Sequence, residues 1–166
     1  MDLESQIKMF EQKPLDLETE SFLFLKLFEH DLQDAVSTLG MIRRYSEENL
    51  INILIRDVVI SYAKPFSSNY GKVKKIHKLR KDEIVPSDMI ELHETLIKFR
   101  DKVFAHTDIE TKNPRLSKFG MTFMRTRYEE LKPKVGEIEK LIEGAQANLS
   151  RKIKAIWDLE FSEETD

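Results

Sequence analysis

Four residues with chemically useful side chains fall within seven positions of one another in the stretch IKFRDKVFAHTD, residues 97–108. They are Arg100, Asp101, Lys102 and His106. A histidine titrates near neutral pH and therefore accepts or donates a proton under ordinary conditions. The planar guanidinium of an arginine keeps its charge and binds two phosphate oxygens at once. An arginine and a histidine held together would suit proton transfer beside a phosphate group.

Arg100 and His106 do not share one face of a straight helix. At about 100° and about 1.5 Å per residue, the steps between them turn about 240° and rise about 9 Å. The two side chains would therefore leave neighbouring faces. They act together only if the helix ends or bends near Ala105, or if a two-fold dimer brings a second copy of the motif against the first.

An arginine followed at once by a polar residue, with a histidine further on at the end of an apolar helix, resembles the signature of the HEPN superfamily. The letters FRDKVFAHTD resemble its abortive-infection branch in particular. The resemblance implies an all-α homodimer, often a metal-independent ribonuclease of a toxin-antitoxin or phage-defence system. Its implied partners are RNA, a second copy of the chain, and an antitoxin protein or a nucleotidyltransferase.

By the family pattern, Arg100 and His106 match the two anchors of the motif, and Asp101 matches the polar position after the arginine. Cutting RNA without a metal requires a base for the 2′-hydroxyl proton, an acid for the leaving 5′-oxygen and a cation for the phosphate oxygens. A dimer would supply two copies of each anchor. Members of the family more often have Asn or His at the position of Asp101, so Asp101 either orients Arg100 or lowers the activity.

Each anchor residue also has a plain structural interpretation. His106 suits the C-terminus of a helix, where the dipole and the last carbonyl groups favour a histidine. Arg100 would equally pair with Glu94 or Asp101 on the surface. The sequence therefore leaves two further readings open: a non-catalytic HEPN-like bundle that binds RNA or a partner protein, and a partner subunit of a nucleotidyltransferase.

A basic segment precedes the motif helix. Residues 65–86 are rich in turn formers and then in lysine, which predicts a loop with at most one helical turn. Positions 72–81 hold six basic residues and no acid, in a chain with a formal net charge of -3. The segment is either an ordinary solvated loop or a contact for an RNA backbone. The predicted RNA contacts are Lys72, Lys74, Lys75, Lys78, Arg80 and Lys81, together with Lys102 beside the motif.

Other kinds of site are not indicated. The chain has no cysteine, which excludes disulfides, thiolate zinc sites and a thiol nucleophile. His93 and Glu94 begin like a zinc-protease motif, but no second histidine stands four residues after His93, so they are interpreted as a surface pair. No glycine-rich phosphate loop occurs. We therefore predict neither a metal nor another cofactor.

The composition, with 34% charged residues and few glycines or prolines, favours solvated helices in one domain over residues 1–166. The predicted fold is all-α, an up-and-down helical bundle of four to five helices with a basic loop and an irregular excursion after the motif helix. Ser46 and Ser87 are the predicted N-caps of the second long helix and of the motif helix. The predicted segments are a short helix at 3–12, long helices at 17–45, 46–64 and 133–159, the motif helix after residue 87, an irregular stretch at 114–128 and a frayed acidic tail at 158–166.

Arg56 and Asp57 interrupt the apolar centre of the second long helix, ILIRDVVI. They either reach the rim or form a satisfied pair, or they support the site at Arg100 and His106. The first residues, MDLESQIKMF, lack the pattern of a signal peptide, and Lys26 interrupts the apolar letters FLFL. We therefore expect a cytoplasmic protein that makes no membrane contact.

Overall fold

The computed structural model describes residues 15–104, 115–122 and 128–160. Over these ranges the regular secondary structure is helical apart from one short hairpin, which confirms the predicted all-α class. No helix among them is long and apolar enough to span a bilayer. The helices are α1 (Leu17–Ile42), α2 (Glu48–Ala63), α3 (Lys81–Ile84), α4 (Ile90–Lys98) and α5 (Val135–Glu160), with a π-helix at Phe99–Phe104 that continues α4 directly.

Helix α1 packs against both α2 and α5. Its buried positions recur at three- and four-residue steps, as the sequence pattern predicts, and α5 buries a matching stripe. Full burial of each large apolar side chain contributes about 1.5–3 kcal/mol. The buried stripes are Phe22, Phe28, Leu32, Ala35, Leu39 and Ile42 on α1, and Ile138, Leu141, Ile142, Ala145, Leu149 and Ile153 on α5. The predicted helix at 3–12 lies outside the described residues.

Both predicted serine caps are wrong. The N-cap of α2 is Glu47, which makes no side-chain cap hydrogen bond, so α2 begins after the predicted residue Ser46. Ser87 opens a 3-10 turn, closed by a hydrogen bond from Met89 N to the Pro86 carbonyl, and α4 starts only at Ile90. Pro86 directly precedes this 3-10 turn. The 3-10 turn stands where the prediction places the first turn of an α-helix capped by Ser87.

The excursion after the motif helix is more regular than predicted. Strands β1 (Arg115–Ser117) and β2 (Gly120–Thr122) form an antiparallel hairpin with Arg115 opposite Thr122. Gly120 has φ 126°, a left-handed conformation that favours glycine. The start of the predicted frayed tail is also helical, because α5 continues to Glu160; residues 161–166 lie outside the described ranges.

Arg56 and Asp57 are both exposed on α2. The Thr38 hydroxyl on α1 donates a 2.8 Å hydrogen bond to Asp57 Oδ2. The interpretation that these residues reach the rim is confirmed.

Two glycines of α5 give a matched test of packing. A Cβ on Gly144 would lie 2.6 Å from Pro86 Cγ, whereas a Cβ on Gly136 would meet nothing within 4 Å. We expect Gly144→Ala to lower the unfolding free energy by about 1–3 kcal/mol through overpacking. Gly136→Ala should leave it unchanged or raise it by up to about 1 kcal/mol, because alanine favours a helix. Urea denaturation measures both, and a stabilised Gly144→Ala would contradict the close approach of Pro86 to α5.

Candidate functional site

The motif helix changes its winding at the motif itself. Helix α4 is α-helical to Lys98, and the chain continues as a π-helix from Phe99. Phe99 is buried, and the π-helix packs against α2. A π-helix closes its hydrogen bonds from residue i to i+5, so the angle expected for a straight α-helix does not apply beyond Lys98. The winding changes six residues before Ala105, and Ala105 itself, near which the spacing requires the helix to end or bend, lies outside the described residues.

Arg100 and Asp101 lie in this π-helix, and each side chain is partly exposed. Arg100 Nη1 donates a 2.7 Å hydrogen bond to Asp101 Oδ1. The interpretation that Arg100 pairs with Asp101 is therefore confirmed. The other suggested partner is wrong, because Glu94 accepts a hydrogen bond from Lys81 instead. His106, the second anchor, lies outside the described residues.

A cleft of about 440 Å³ opens beside Asp101. It lies along α4 and the π-helix, and Lys81 at the start of α3 forms part of its wall. Three ammonium groups and two carboxylates face it, and one of those carboxylates, Glu94, is paired with Lys81. The full lining is Lys81, His93, Glu94, Ile97, Lys98, Asp101 and Lys102.

His93, one wall of this cleft, corrects a prediction. It is not a surface partner of Glu94 but is only 4% exposed. A 2.8 Å hydrogen bond joins its Nδ1 to the hydroxyl of Tyr62, and the ring of Phe66 stands edge-on at 4.6 Å. A signal was available in the sequence, since His93 precedes the core residue Leu96 by three positions and so shares its face of the helix.

Burial lowers the pKa of His93 to about 4; the charge of Lys81 adds to this effect, and that of Glu94 opposes it. Burial also raises the pKa of Tyr62. Both rings are therefore neutral at pH 7. The cleft presents an uncharged imidazole among lysines, and at neutral pH that imidazole cannot act as a cation toward a phosphate.

Residues 65–86 form a loop, as predicted, with the short helix α3 near its end; a 3-10 turn at Lys64–Phe66, which was not predicted, opens it. We call residues 69–78 the lysine loop; its ends are joined by hydrogen bonds in both directions between the backbones of Asn69 and His77. The predicted RNA contacts fall into three sets. Arg80 pairs with Asp82 and Glu83, and Lys81 pairs with Glu94. Lys102 is exposed at the motif. Four side chains are exposed and have no carboxylate partner within the described part of the chain: Lys72, Lys74, Lys75 and Lys78.

A buried carboxylate on α1 holds this loop in place. Glu20 is 4% exposed, and it accepts hydrogen bonds from the backbone N–H groups of Lys72, Val73 and Lys74 at 2.6–2.8 Å. His77 Nε2 lies 2.7 Å from the same carboxylate. Burial alone would raise the pKa of Glu20, but the hydrogen bonds from Lys74, Val73, His77 and Lys72 outweigh it and lower the pKa to about 2. Glu20 is thus ionised at every ordinary pH.

The loop is fitted closely around this carboxylate. A Cβ on Gly71 would overlap Glu20 Oε1 and would come within 2.7 Å of the Lys74 carbonyl oxygen. The ring of Phe24 stacks on His77 with centroids 4.1 Å apart. Glycine at position 71 is therefore required by space. Sequence reasoning missed Glu20, because an acid in the first turn of a helix is expected simply from the dipole.

No family model, no curated protein and no solved structure matches this chain. The HEPN resemblance thus remains a prediction that rests on the motif. Within the described ranges, no three histidine or acidic side chains are grouped so as to hold a metal ion. The functional argument depends on the residues themselves, with the motif at one place and the lysine loop at another.

The depressed pKa of His93 predicts a particular dependence of stability on pH. Below pH 6.5 the unfolded chain takes up a proton that the folded chain refuses until about pH 4. The unfolding free energy should therefore fall as the pH drops from about 6.5 to about 4, by up to about 3 kcal/mol from this residue. Below that the contribution of His93 should level off, while the depressed pKa of Glu20 adds a separate loss. Urea denaturation at a series of pH values measures it.

The comparison for this prediction is His93→Gln, which removes the titrating ring and should flatten the dependence in that range. His30→Gln, on a ring whose side chain is 72% exposed, is the control and should behave as the unaltered protein does. Equal pH slopes in the unaltered protein and His93→Gln would show that His93 is not held neutral by burial.

Proposed function

We propose that this chain is an RNA-binding helical domain that cleaves RNA without a metal, as a homodimer in which Arg100 and His106 of both copies line one cleft. The observation that carries the proposal is the change from α to π winding at Phe99, at the start of the motif. Short π segments inside helices are rare and occur frequently at functional sites. Here the π-helix presents a partly exposed Arg100 next to a cleft bordered by Lys98 and Lys102.

The proposed reaction is attack of the 2′-oxygen on the neighbouring phosphorus, with departure of the 5′-oxygen. One His106 of the dimer accepts the 2′-hydroxyl proton, and the other donates a proton to the leaving oxygen. Arg100 neutralises charge on the phosphate oxygens. Asp101 holds the guanidinium through the 2.7 Å hydrogen bond and thereby orients it.

A second candidate function is RNA binding without cleavage. It is favoured by that same hydrogen bond, because Asp101 offsets the charge of Arg100 where a phosphate would need it. Both candidates assign the lysine loop to RNA. A role in a toxin-antitoxin or phage-defence system, in the cytoplasm and with an antitoxin or nucleotidyltransferase as partner, belongs to the proposal on the strength of the resemblance alone.

Cleavage is tested with a labelled RNA in the presence of a chelator. We expect the unaltered protein to cut, and Arg100→Ala and His106→Ala to lower the rate by about a hundredfold or more, because each removes stabilisation of the transition state. Circular dichroism should show unchanged helicity. Asp101→Asn should retain cleavage if the residue serves only to orient Arg100, since asparagine still accepts that hydrogen bond.

Matched controls for these variants are Arg56→Ala and His30→Ala, which remove exposed residues of the same types elsewhere. Both should cut RNA at the unaltered rate. If the protein binds RNA but all variants and the unaltered protein leave it intact, the second candidate replaces the first. If Arg100→Ala and His106→Ala cut as fast as the unaltered protein, the site assignment is wrong.

The dimer has its own test. Light scattering coupled to size exclusion should give twice the chain mass of 19.6 kDa. Mixing His106→Ala with the unaltered protein should lower cleavage by more than dilution of the unaltered protein accounts for, because a mixed dimer has one His106 for two proton transfers. A monomer at micromolar concentration would reject the shared cleft.

A further inference from the structure

We infer that the lysine loop is a preformed surface for single-stranded RNA, in which its four exposed lysines contact phosphates, Tyr70 stacks on a base and the buried Glu20 keeps the loop in shape. The inference rests on the proposed function in RNA binding and names the form of RNA that is bound. It adds Tyr70 as a contact residue and Glu20 as a positioning residue.

The charge of the loop is concentrated and unopposed. Lys72, Lys74, Lys75 and Lys78 lie within seven positions and have no carboxylate partner among the described residues. Glu20, whose carboxylate contacts the backbone of the loop, is already engaged by three backbone N–H groups and His77. An anion outside the loop therefore meets ammonium groups that no neighbouring acid occupies, as a polyphosphate backbone requires.

Tyr70 is the aromatic part of this surface. Its ring is 73% exposed, although the backbone on either side is fixed. On one side Asn69 is bridged to His77, and its side-chain amide donates to the carbonyls of Lys64 and Ser67. On the other side Gly71 lies against Glu20. An aromatic ring held out on a fixed backbone suits stacking on an unpaired base, which contributes about 1–3 kcal/mol.

Single strands are favoured over duplexes for two reasons. The bases of a duplex are already stacked on one another, so Tyr70 would find no free base face inside it. The tyrosine also lies directly before the four lysines in one short loop, so that ring and charge would contact the same strand. Because the hydrogen bonds to Glu20 order the loop before RNA arrives, binding does not have to include the entropy loss of ordering it.

An anionic membrane is the competing partner for a basic loop with exposed apolar groups. The apolar side chains beside Tyr70 argue against it, since Val73 is 49% and Ile76 is 37% exposed and lysines separate them in the chain. A membrane contact favours a wider continuous apolar face. Vesicles of phosphatidylserine and phosphatidylcholine therefore form one arm of the test.

The test measures binding of the full chain by fluorescence anisotropy on a labelled 2′-O-methyl oligonucleotide, which lacks the hydroxyl needed for cleavage. Changing Lys74, Lys75 and Lys78 together to Gln should lower the slope of log affinity against log salt by about 2, since each contact to a single strand contributes about 0.7. The control changes Lys118, Lys134 and Lys140 to Gln, which alters the net charge equally and should leave the slope unchanged.

The aromatic contact is tested by Tyr70→Leu, which should weaken binding of the single strand by roughly fivefold to a hundredfold and leave binding of a duplex of the same sequence unchanged. Tyr45→Leu is the control; that ring is 51% exposed on the loop between α1 and α2. Equal single-strand affinity of Tyr70→Leu and the unaltered protein would reject Tyr70 as a contact.

Glu20 is tested through Glu20→Gln, which puts an amide where the carboxylate accepts hydrogen bonds. We expect faster hydrogen exchange at the amides of Lys72, Val73 and Lys74 and weaker single-strand binding, with helicity retained. Gly71→Ala disturbs the loop without altering α1 and should have the same two effects, which covers the case in which Glu20→Gln does not fold. Folded variants with a loosened loop and full affinity would reject the positioning role.

Two outcomes would overturn the inference as a whole: binding that ignores both the lysine and the Tyr70 changes, or binding to the anionic vesicles in place of the oligonucleotide. The cleavage assay is independent of these measurements, because the modified strand reports binding alone. If the protein cuts RNA but binds it elsewhere, the proposed function is supported and the lysine loop is rejected as the RNA surface. If the protein binds RNA through the loop but does not cut it, the RNA surface is supported and catalysis is rejected.

Discussion

The buried carboxylate of Glu20 is the interaction on which the arrangement of the lysine loop depends. A charged group away from water is unfavourable unless several donors satisfy it. The loop supplies three consecutive backbone N–H groups and the ring of His77, and Glu20 in turn accepts from amides that would otherwise lack a partner. Each side therefore requires the other. The result is a loop without regular secondary structure that nevertheless has a defined backbone.

A second buried polar contact holds the motif helix in place. Tyr62 on α2 and His93 on α4 are both in the core and satisfy one another with a single hydrogen bond. Because both rings are neutral, the contact carries no charge to be desolvated. It ties α4 to α2 just before the winding changes at Phe99, so the π-helix starts from a fixed point. The position of Arg100 therefore depends on a contact two turns earlier in the helix.

The features that the sequence predicted well are those that depend on neighbours along one helix. The stripes of α1 and α5 follow from three- and four-residue spacing, because burial selects the residue types. The helix starts at Ser46 and Ser87 were wrong, since they depend on local backbone geometry that Glu47 and Pro86 determine. The role of Glu20 could not be predicted from the sequence. Its partners lie 52 to 57 residues away, and nothing in an acid on the first turn of a helix identifies them.

The basic segment shows that a run of basic residues in a sequence does not always give a positively charged surface, because acidic residues can pair with some of them. Arg80 and Lys81 belong to the same basic run as the loop lysines, but Arg80 forms ion pairs with Asp82 and Glu83, and Lys81 with Glu94. In the cleft at the motif, two carboxylates likewise offset part of the charge of three lysines. Among the described residues, uncompensated positive charge is therefore greatest on the lysine loop, ahead of the motif helix in the chain. Sequence-independent affinity for a phosphate backbone follows such charge. In the proposed function the loop would therefore hold the RNA, and Arg100, already engaged by Asp101, would orient one phosphate rather than attract the whole strand.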